Sequence, residues 1–444
     1  MVSIERMRVD AMAAFEAAVE AVRPENLVPA QISRSGDNRM VGGEPLPEVS
    51  GRRVVMSIGK AAPGLAGAWQ KAMPGWADEI LVLTPHGVPV PPEVETAATI
   101  LRGAHPYPDA DGEASTRRLL EIAEGLGAND LLVVLLSGGG SALMAAPEEG
   151  LALADVHATT KALLKAGAPI TEVNTVRRQL LAAAGGGLAR AAHPALVRTL
   201  ILSDVLGDPL PDIASGPTVA SPTTAADALA VLDRFGLLGA IPGPVVSFLE
   251  NAKIRPTDAR SWMGTTSTSI LGNNRTAIEA AAAELAARGY SAEAAAGYLE
   301  GEASKRGREL AARAREEECS APSAVVIGGE TTVTVRGSGR GGRNQELALA
   351  AAIELEGADS TVILAAGTDG VDGLSENAGA VVDPTTIDRL QKIGIDAREA
   401  LDYNDSGTAL AAAGDAIHTG PTGTNVCDLT IVLSARTREG KGRD

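Results

Sequence analysis

Two periods of hydrophobicity take turns along the chain. Residues 4–22 repeat apolar positions at helical spacing and predict an amphipathic helix that covers something larger. From there, short apolar runs bounded by glycine or proline recur: Val54–Ile58, Glu79–Pro85, Ala98–Ala104, Leu131–Leu136 and the run ending at Leu202. Most are followed by a stretch of helical period, which predicts βα units and an α/β fold. Leu131–Leu136 is wholly aliphatic, the pattern of a parallel strand covered on both faces. The proline-punctuated segment near 240–265 interrupts the rhythm and predicts a boundary between two α/β domains, 1–245 and 265–444. The second half restarts with strand, Asn-Asn turn and helix around Asn273. Strands at Tyr290–Ala296, Ser323–Gly329 and Thr361–Gly367 follow, with a last one after the polar turn Thr419–Asn425. Ser323–Gly329 is expected to form a hairpin with the run Glu330–Arg336.

Composition narrows the function classes. A chain of 444 residues favours two domains or more, and with 2% aromatics its core is built from Ala, Val, Leu and Ile. The net charge of −17 opposes a nucleic-acid or membrane-surface partner, which needs a basic face. Cys319 and Cys427 stand alone, without the spacing of a disulfide framework or zinc site, and the five histidines are scattered. The N-terminal stretch carries acids, unlike a signal peptide, and no apolar run is long enough to span a bilayer. A cytoplasmic protein, monomer or homodimer, is expected.

Candidate chemistry sits where strands hand over to helices. Ligands of open α/β sheets bind at the carboxyl ends of strands, which singles out Lys60 after Val54–Ile58. It also singles out the turn Ser137, Gly138, Gly139, Gly140, Ser141 after Leu131–Leu136, where glycines admit a phosphate close to backbone N–H groups. A solvated loop lysine and a plain strand–helix turn are the alternatives. The turn is neither a Walker loop nor a nucleophile elbow, because no Lys-Ser/Thr closes it and Leu143 replaces the last glycine. Asp204 ends the run at 202, where a carboxylate suits Mg²⁺ binding or proton abstraction, or simply caps a turn. Arg177 and Arg178, within a turn of Asn174, read as surface charge, and His105 as a satisfied loop histidine. In the second half, Gly328–Leu347 joins a β-branched run, a glycine-rich turn with Arg336, Arg340 and Arg343, and a helix start. This four-glycine turn (Gly337, Gly339, Gly341 and Gly342) predicts an anion site on unpaired helix N–H groups. Glu330 leads that segment. Asp369 and Asp372 occupy a later glycine-rich loop that suits a cation or a hydroxyl, and Asn273 serves as ligand contact or helix cap.

These motifs in order resemble the glycerate 2-kinase family, whose C-terminal part is called the MOFRL domain. The likeness runs through GKAA at 59–62, HPYPD at 105–109, SGGGSAL at 137–143 and NTVRRQL at 174–180. It continues through SDVLGDPLPDIASGPT at 203–218, GNNRTA at 272–277 and GGETTVTVRGSGRGGRNQE at 328–346. It ends with GTDGVDG at 367–373, NDSGTAL at 404–410 and TGPTGTNVCDL at 419–429. The resemblance implies two α/β domains about an active-site cleft, the N-terminal one Rossmann-like with a mainly parallel sheet. It implies ATP-dependent phosphorylation of D-glycerate at its 2-hydroxyl, with Mg²⁺. Lys60 and Arg343 would act at the transferring phosphoryl group and the substrate carboxylate. Asp204 or Asp369 would accept the proton or hold Mg²⁺, with Asp372 a further metal candidate. Ser137–Ser141, Asn273, Glu330, Arg340 and Asn425 would line the substrate and nucleotide sites. The chain departs from the family at Ala182–Arg190, which lacks a basic pair around its glycines, and at Gly407 and Thr408, where an aromatic pair is usual.

Two other readings compete. GSGRGG at 337–342 matches a dinucleotide fingerprint, as a hydroxypyruvate or tartronate semialdehyde reductase with a nicotinamide cofactor would require. A sugar-acid or nucleotide sensor would keep the fold without turnover.

Overall fold

The computed structural model describes residues 2–36, 38–252, 260–316 and 321–435. The stretch expected to hold a domain boundary therefore falls partly outside the described residues, as does Cys319. Cys427 is buried and not in a disulfide. The chain forms two compact units, one of residues 24–271 and one of residues 1–23 with 272–444.

Helix α1 (Ile4–Ala21) starts at Ser3, whose side chain accepts the Arg6 N–H, and buries Met7, Ala11, Ala14, Phe15 and Ala18. It belongs to the unit formed mainly by the C-terminal half, where it lies against a helix beginning at Asn274.

The unit of residues 24–271 is built on six strands: β1 (Arg53–Ile58), β2 (Glu79–Pro85), β3 (Thr99–Gly103), β4 (Leu131–Leu136), β5 (Leu196–Leu202) and β6 (Thr266–Gly272). Their spatial order is β3-β2-β1-β4-β5-β6, and the pairings from β3 through β5 are all parallel. This is the doubly wound order, in which the chain reverses direction across the sheet between β1 and β4. All six residues of β4 are buried, as a central strand with both faces covered requires. Helices α2 (Ala62–Ala72), α3 (Ala110–Glu124) and α4 (Ile170–Leu180) follow β1, β3 and β4 in sequence. Asp109 caps α3, accepting from the Gly112 N–H at 2.8 Å. A small three-stranded sheet within residues 32–45 is tied to β5 by Arg198, a guanidinium only 1% exposed. It donates to Glu44, to the Val41 carbonyl and to the hydroxyls of Ser267 and Ser269.

The other unit carries β7 (Ser291–Glu302), β8 (Ser323–Thr332), β9 (Thr361–Gly367), β10 (Gly379–Val382), β11 (Ala416–Ile417) and β12 (Asp428–Ser434). Their order is β7-β8-β12-β9-β10-β11. Only β7 and β8 pair in parallel; the remaining pairs are antiparallel. Helices α5 (Asn274–Ala287), α6 (Ala303–Glu316) and α7 (Arg343–Leu355) pack against it. The expected hairpin of Ser323–Gly329 with Glu330–Arg336 does not form: the strand runs straight through Gly328, Gly329 and Glu330 to Thr332. Those glycines are in the strand because neighbours crowd it. A Cβ at Gly328 would stand 1.5 Å from Asn274 Oδ1, and one at Gly329 2.2 Å from the Leu299 carbonyl oxygen.

Candidate active site

Lys60 and the Ser137–Ser141 loop meet at the reversal point of the parallel sheet. Gly59 and Lys60 follow β1, Ser137 follows β4, and the two turns are stitched together. The Lys60 N–H donates to the Gly138 carbonyl at 2.8 Å, the Ala61 N–H to Ser137 Oγ at 3.1 Å, and the Ser137 N–H to the Ile58 carbonyl at 2.9 Å. At φ 123° Gly59 has a conformation that L side chains rarely adopt, and a Cβ there would stand 2.3 Å from Ser137 Oγ.

Three further side chains close on the same loop. A Cβ on Gly138 would stand 1.8 Å from Asp204 Oδ2, so the carboxylate lies directly on the loop backbone. A Cβ on Gly139 would meet His105 Cδ2 at 3.1 Å and Lys60 Cγ at 3.2 Å. His105 is therefore more than an isolated loop residue. Its residue surface is largely exposed, yet burial of the ring, and then the Lys60 charge, push its pKa below the usual histidine value. Ser141 Oγ lies 2.8 Å from Ser215 Oγ, and Ser215 and Ala214 hold the left-handed φ values of 63° and 50° that non-glycine residues seldom take.

The arginines of α4 turn inward rather than forming the expected surface charge. Arg178, 7% exposed, pairs with Asp212 at 2.7 Å, and Arg177 donates to the Ser141 carbonyl at 3.1 Å.

In the other unit, Arg343 is held by two acids. Its Nε donates to Asp428 Oδ2 at 2.5 Å, Nη2 to Asp428 Oδ1 at 3.1 Å and Nη1 to Glu330 Oε1 at 2.5 Å. Burial by itself would depress its pKa, but Asp428 and Glu330 together raise it above the ordinary arginine value. Asp369 stands beside this pair. A Cβ on Gly367 would be 3.2 Å from Asp369 Oδ1 and 3.4 Å from Asp428 Oδ1.

Asp372, two residues beyond Gly370, has a different task. Its Oδ1 accepts the Asn344 N–H at 3.1 Å and its Oδ2 the Gln345 N–H at 2.8 Å, so it caps α7. The start of α7, expected to offer unpaired N–H groups to an anion, is thus already satisfied from within the chain. Burial, and secondarily Asp428, push the Asp372 carboxyl up to about 6.

Asn273 caps α5, accepting the Thr276 N–H at 3.0 Å, and Asn425 Oδ1 accepts the Cys427 N–H at 3.1 Å. Arg340 is exposed, its guanidinium reaching only the Leu374 carbonyl at 3.4 Å among the hydrogen bonds of the described residues. A cavity of about 300 Å³ beside α6 and α7 is lined by Lys305, Arg308, Glu346 and Asn404 among others, and by Arg336 of the glycine-rich turn but neither Arg340 nor Arg343.

The fold therefore gathers Lys60, Ser137–Ser141 and Asp204 in one unit, and Glu330, Arg343 and Asp369 in the other. Asp428, His105, Arg177 and Ser215 stand with these groups without being among the candidates expected from the sequence. For Asp428 the signal was an acid opening an otherwise apolar strand. For Ser215 no local signal exists, because its meeting with Ser141 is tertiary.

Comparison with known proteins agrees with this architecture. Residues 10–250 match the family model described as a domain of unknown function, DUF4147, and residues 323–428 match the MOFRL family. The D-glycerate 2-kinase of Thermotoga maritima is 39% identical over 396 residues, covering 88% of this chain and 93% of that protein. The glycerate 2-kinase of Pyrococcus horikoshii is 36% identical, covering 94% of each. A protein of Agrobacterium vitis provisionally named a hydroxypyruvate reductase is 40% identical, covering 90% of this chain and 91% of its own length. The crystal structure of the Thermotoga maritima glycerate kinase superposes with a TM-score of 0.85 at 36% identity, covering 97% of this chain and all of that one. With both family models matched, and with relatives and a solved structure matched along nearly their whole length, the chain belongs to the glycerate 2-kinase family.

Proposed function

We propose that this protein transfers the γ-phosphoryl group of ATP to the 2-hydroxyl of D-glycerate, giving 2-phosphoglycerate and ADP. The observation that carries the reading is the grouping of Lys60, Asp204 and the Ser137–Ser141 loop at the sheet reversal of a chain whose relatives are named as glycerate 2-kinases. Phosphoryl transfer needs positioning and charge neutralisation more than covalent chemistry. In this reading the Lys60 ammonium neutralises charge on the transferring group. The loop N–H groups orient the oxygens, and Asp204 takes the proton of the attacking hydroxyl. Arg343, already paired with Asp428 and Glu330, contributes a fixed and rigidly aimed guanidinium rather than a free charge.

The donor set fits Mg²⁺, a hard cation that takes oxygen ligands: Asp369 would hold it where Asp204 serves as the base, or Asp204 where Asp369 does, whereas both oxygens of Asp372 are spent on α7. Bound there, Mg²⁺ would offset phosphate charge. Asn273, Glu330, Arg340 and Asn425 are assigned to the lining of the ligand sites.

The reductase reading rests on GSGRGG and on the name carried by the Agrobacterium vitis relative. Against it, these glycines pack on the protein itself. A Cβ on Gly337 would meet the Tyr403 carbonyl oxygen at 2.2 Å, one on Gly339 Asp405 Cβ at 2.5 Å, and one on Gly342 Asp372 Oδ1 at 2.3 Å. Backbone spent in this way is not open to a pyrophosphate.

The test is ADP release with D-glycerate, and phosphorus NMR of the product to separate 2- from 3-phosphorylation. Lys60→Ala and Arg343→Ala are each expected to abolish release. Wild-type turnover in both variants, or loss of NADH absorbance with hydroxypyruvate at a catalytic rate without ATP, would reject the assignment.

A further inference from the structure

Arg177 is a half-buried charged group that has no counter-charge among the described residues. It sits on α4 next to Arg178, and the contrast between the two is informative. Arg178 has Asp212 at 2.7 Å, and that acid partly offsets its burial. Arg177 has one hydrogen bond, to the Ser141 carbonyl, and no carboxylate pairs with it among the described residues. Burial lowers its pKa, and no neighbouring charge acts to restore it. A half-buried guanidinium with no carboxylate beside it is costly, and such groups persist where something supplies the missing charge. Holding up a single carbonyl does not require a charge.

What surrounds Arg177 says where that charge would come from. The carbonyl it reaches belongs to the last residue of the Ser137–Ser141 loop. On the loop's other side, Lys60 Cγ and the His105 ring lie against Gly139. Ser141 Oγ is 2.8 Å from Ser215 Oγ, adding two hydroxyls at the same turn. Ser215 and Ala214 are held in left-handed backbone, strain that a fold keeps where a side chain must be aimed.

The geometry points to Arg177 as the anchor for an oxyanion of the bound ligand, with Ser141 and Ser215 supplying hydroxyl donors beside it. The chemistry is a carboxylate or phosphate oxygen pair facing a guanidinium fork, from either of two sources: the hydroxy-acid carboxylate or a nucleotide phosphate. This rests on the kinase reading of the same loop and adds to it a residue that holds the ligand without touching the proton or the leaving group.

The experiment uses the full chain with Arg177→Gln and Arg177→Lys. KM is measured for D-glycerate and for ATP in turn, with thermal melts in the absence and presence of D-glycerate, ADP and inorganic phosphate. Removing an unpaired half-buried charge should leave the unliganded Arg177→Gln protein melting at or above the wild-type temperature. KM for one ligand should rise about 10- to 100-fold, with Arg177→Lys between. A rise for D-glycerate assigns the carboxylate, and a rise for ATP the phosphate. Unchanged KM for both ligands overturns the inference, as does a lowered melting point without a KM change, which would make Arg177 a prop for Ser141. Absence of ADP release in the wild type rejects the kinase reading instead. The anchor then stands or falls on whether Arg177→Gln abolishes the melting shift given by D-glycerate or phosphate.

Discussion

Gly138→Ala is the sharpest single test of the proposed chemistry, because its effect can be worked out from one contact. The added methyl would stand 1.8 Å from Asp204 Oδ2, 2.4 Å from Cγ and 3.0 Å from Oδ1. Ordinary contact begins near 3.4 Å, so either the carboxylate retreats by about 1.6 Å or the loop opens. The loop is the stiffer side. Gly138 accepts the Lys60 N–H at 2.8 Å, and Ser137 is tied to Ile58 at 2.9 Å. Gly138 is not among the residues with positive φ, so alanine brings no backbone strain of its own and the effect is steric. Overpacking of this kind costs about 1–3 kcal/mol of stability. A displacement above about 1 Å in a group that must meet a reacting atom costs roughly 100-fold in rate. ADP release coupled to pyruvate kinase and lactate dehydrogenase, at saturating ATP and D-glycerate, reads the rate, and urea unfolding reads the stability. A Gly138→Ala enzyme with kcat within about twofold of wild type would refute a role for Asp204 at the reacting centre.

Three further outcomes follow from the network around these sites. Asp428→Asn removes the two-point partner of Arg343 and should cost about 2 kcal/mol of stability in urea unfolding, as loss of a hydrogen bond to a charged group does. An unchanged midpoint would mean that Glu330 alone holds the guanidinium. Asp372, pushed up to about 6 from the ordinary aspartate value of 3.8, binds its proton more readily folded than unfolded. Stability from this group is full below about pH 4 and falls as pH rises through about 6, by up to about 3 kcal/mol. Asp372→Asn should flatten that part of the pH–stability curve, and parallel wild-type and variant curves would contradict the assignment. Arg8→Ala should destabilise the unit that contains α1 by about 3 kcal/mol, because Arg8 bridges Asp383 and Asp415, each 1% exposed. Arg389 still pairs with both acids and keeps the cost at the low end; an unfolding midpoint equal to wild type would refute it.

Local rules carry the legible part of this protein. The continuous apolar run of β4 and the Gly-Lys handover after β1 depend on residues within a few positions of one another, so the sequence alone determined them. Wherever a partner arrives from far along the chain, the local pattern was silent or misleading. The strand ending at Gly329 was expected to fold back as a hairpin with Glu330–Arg336, but it runs on to Thr332, and Asn274 and Leu299 leave no room for a side chain at Gly328 and Gly329. The α7 start read as an open anion site, but Asp372 comes back to fill it. Arg177 and Arg178 read as solvated, because nothing near them in sequence shows that Ser141 and Asp212 wait on the inner side. Periodicity shows that α1 covers an apolar surface, while its docking beside α5 depends on contacts some 270 residues away. The wholly aliphatic run of β4 already marked a parallel strand covered on both faces, whereas the individual strands of the other unit carried no trace of their neighbours' direction. Its mostly antiparallel sheet was therefore decided only when the chain closed on itself.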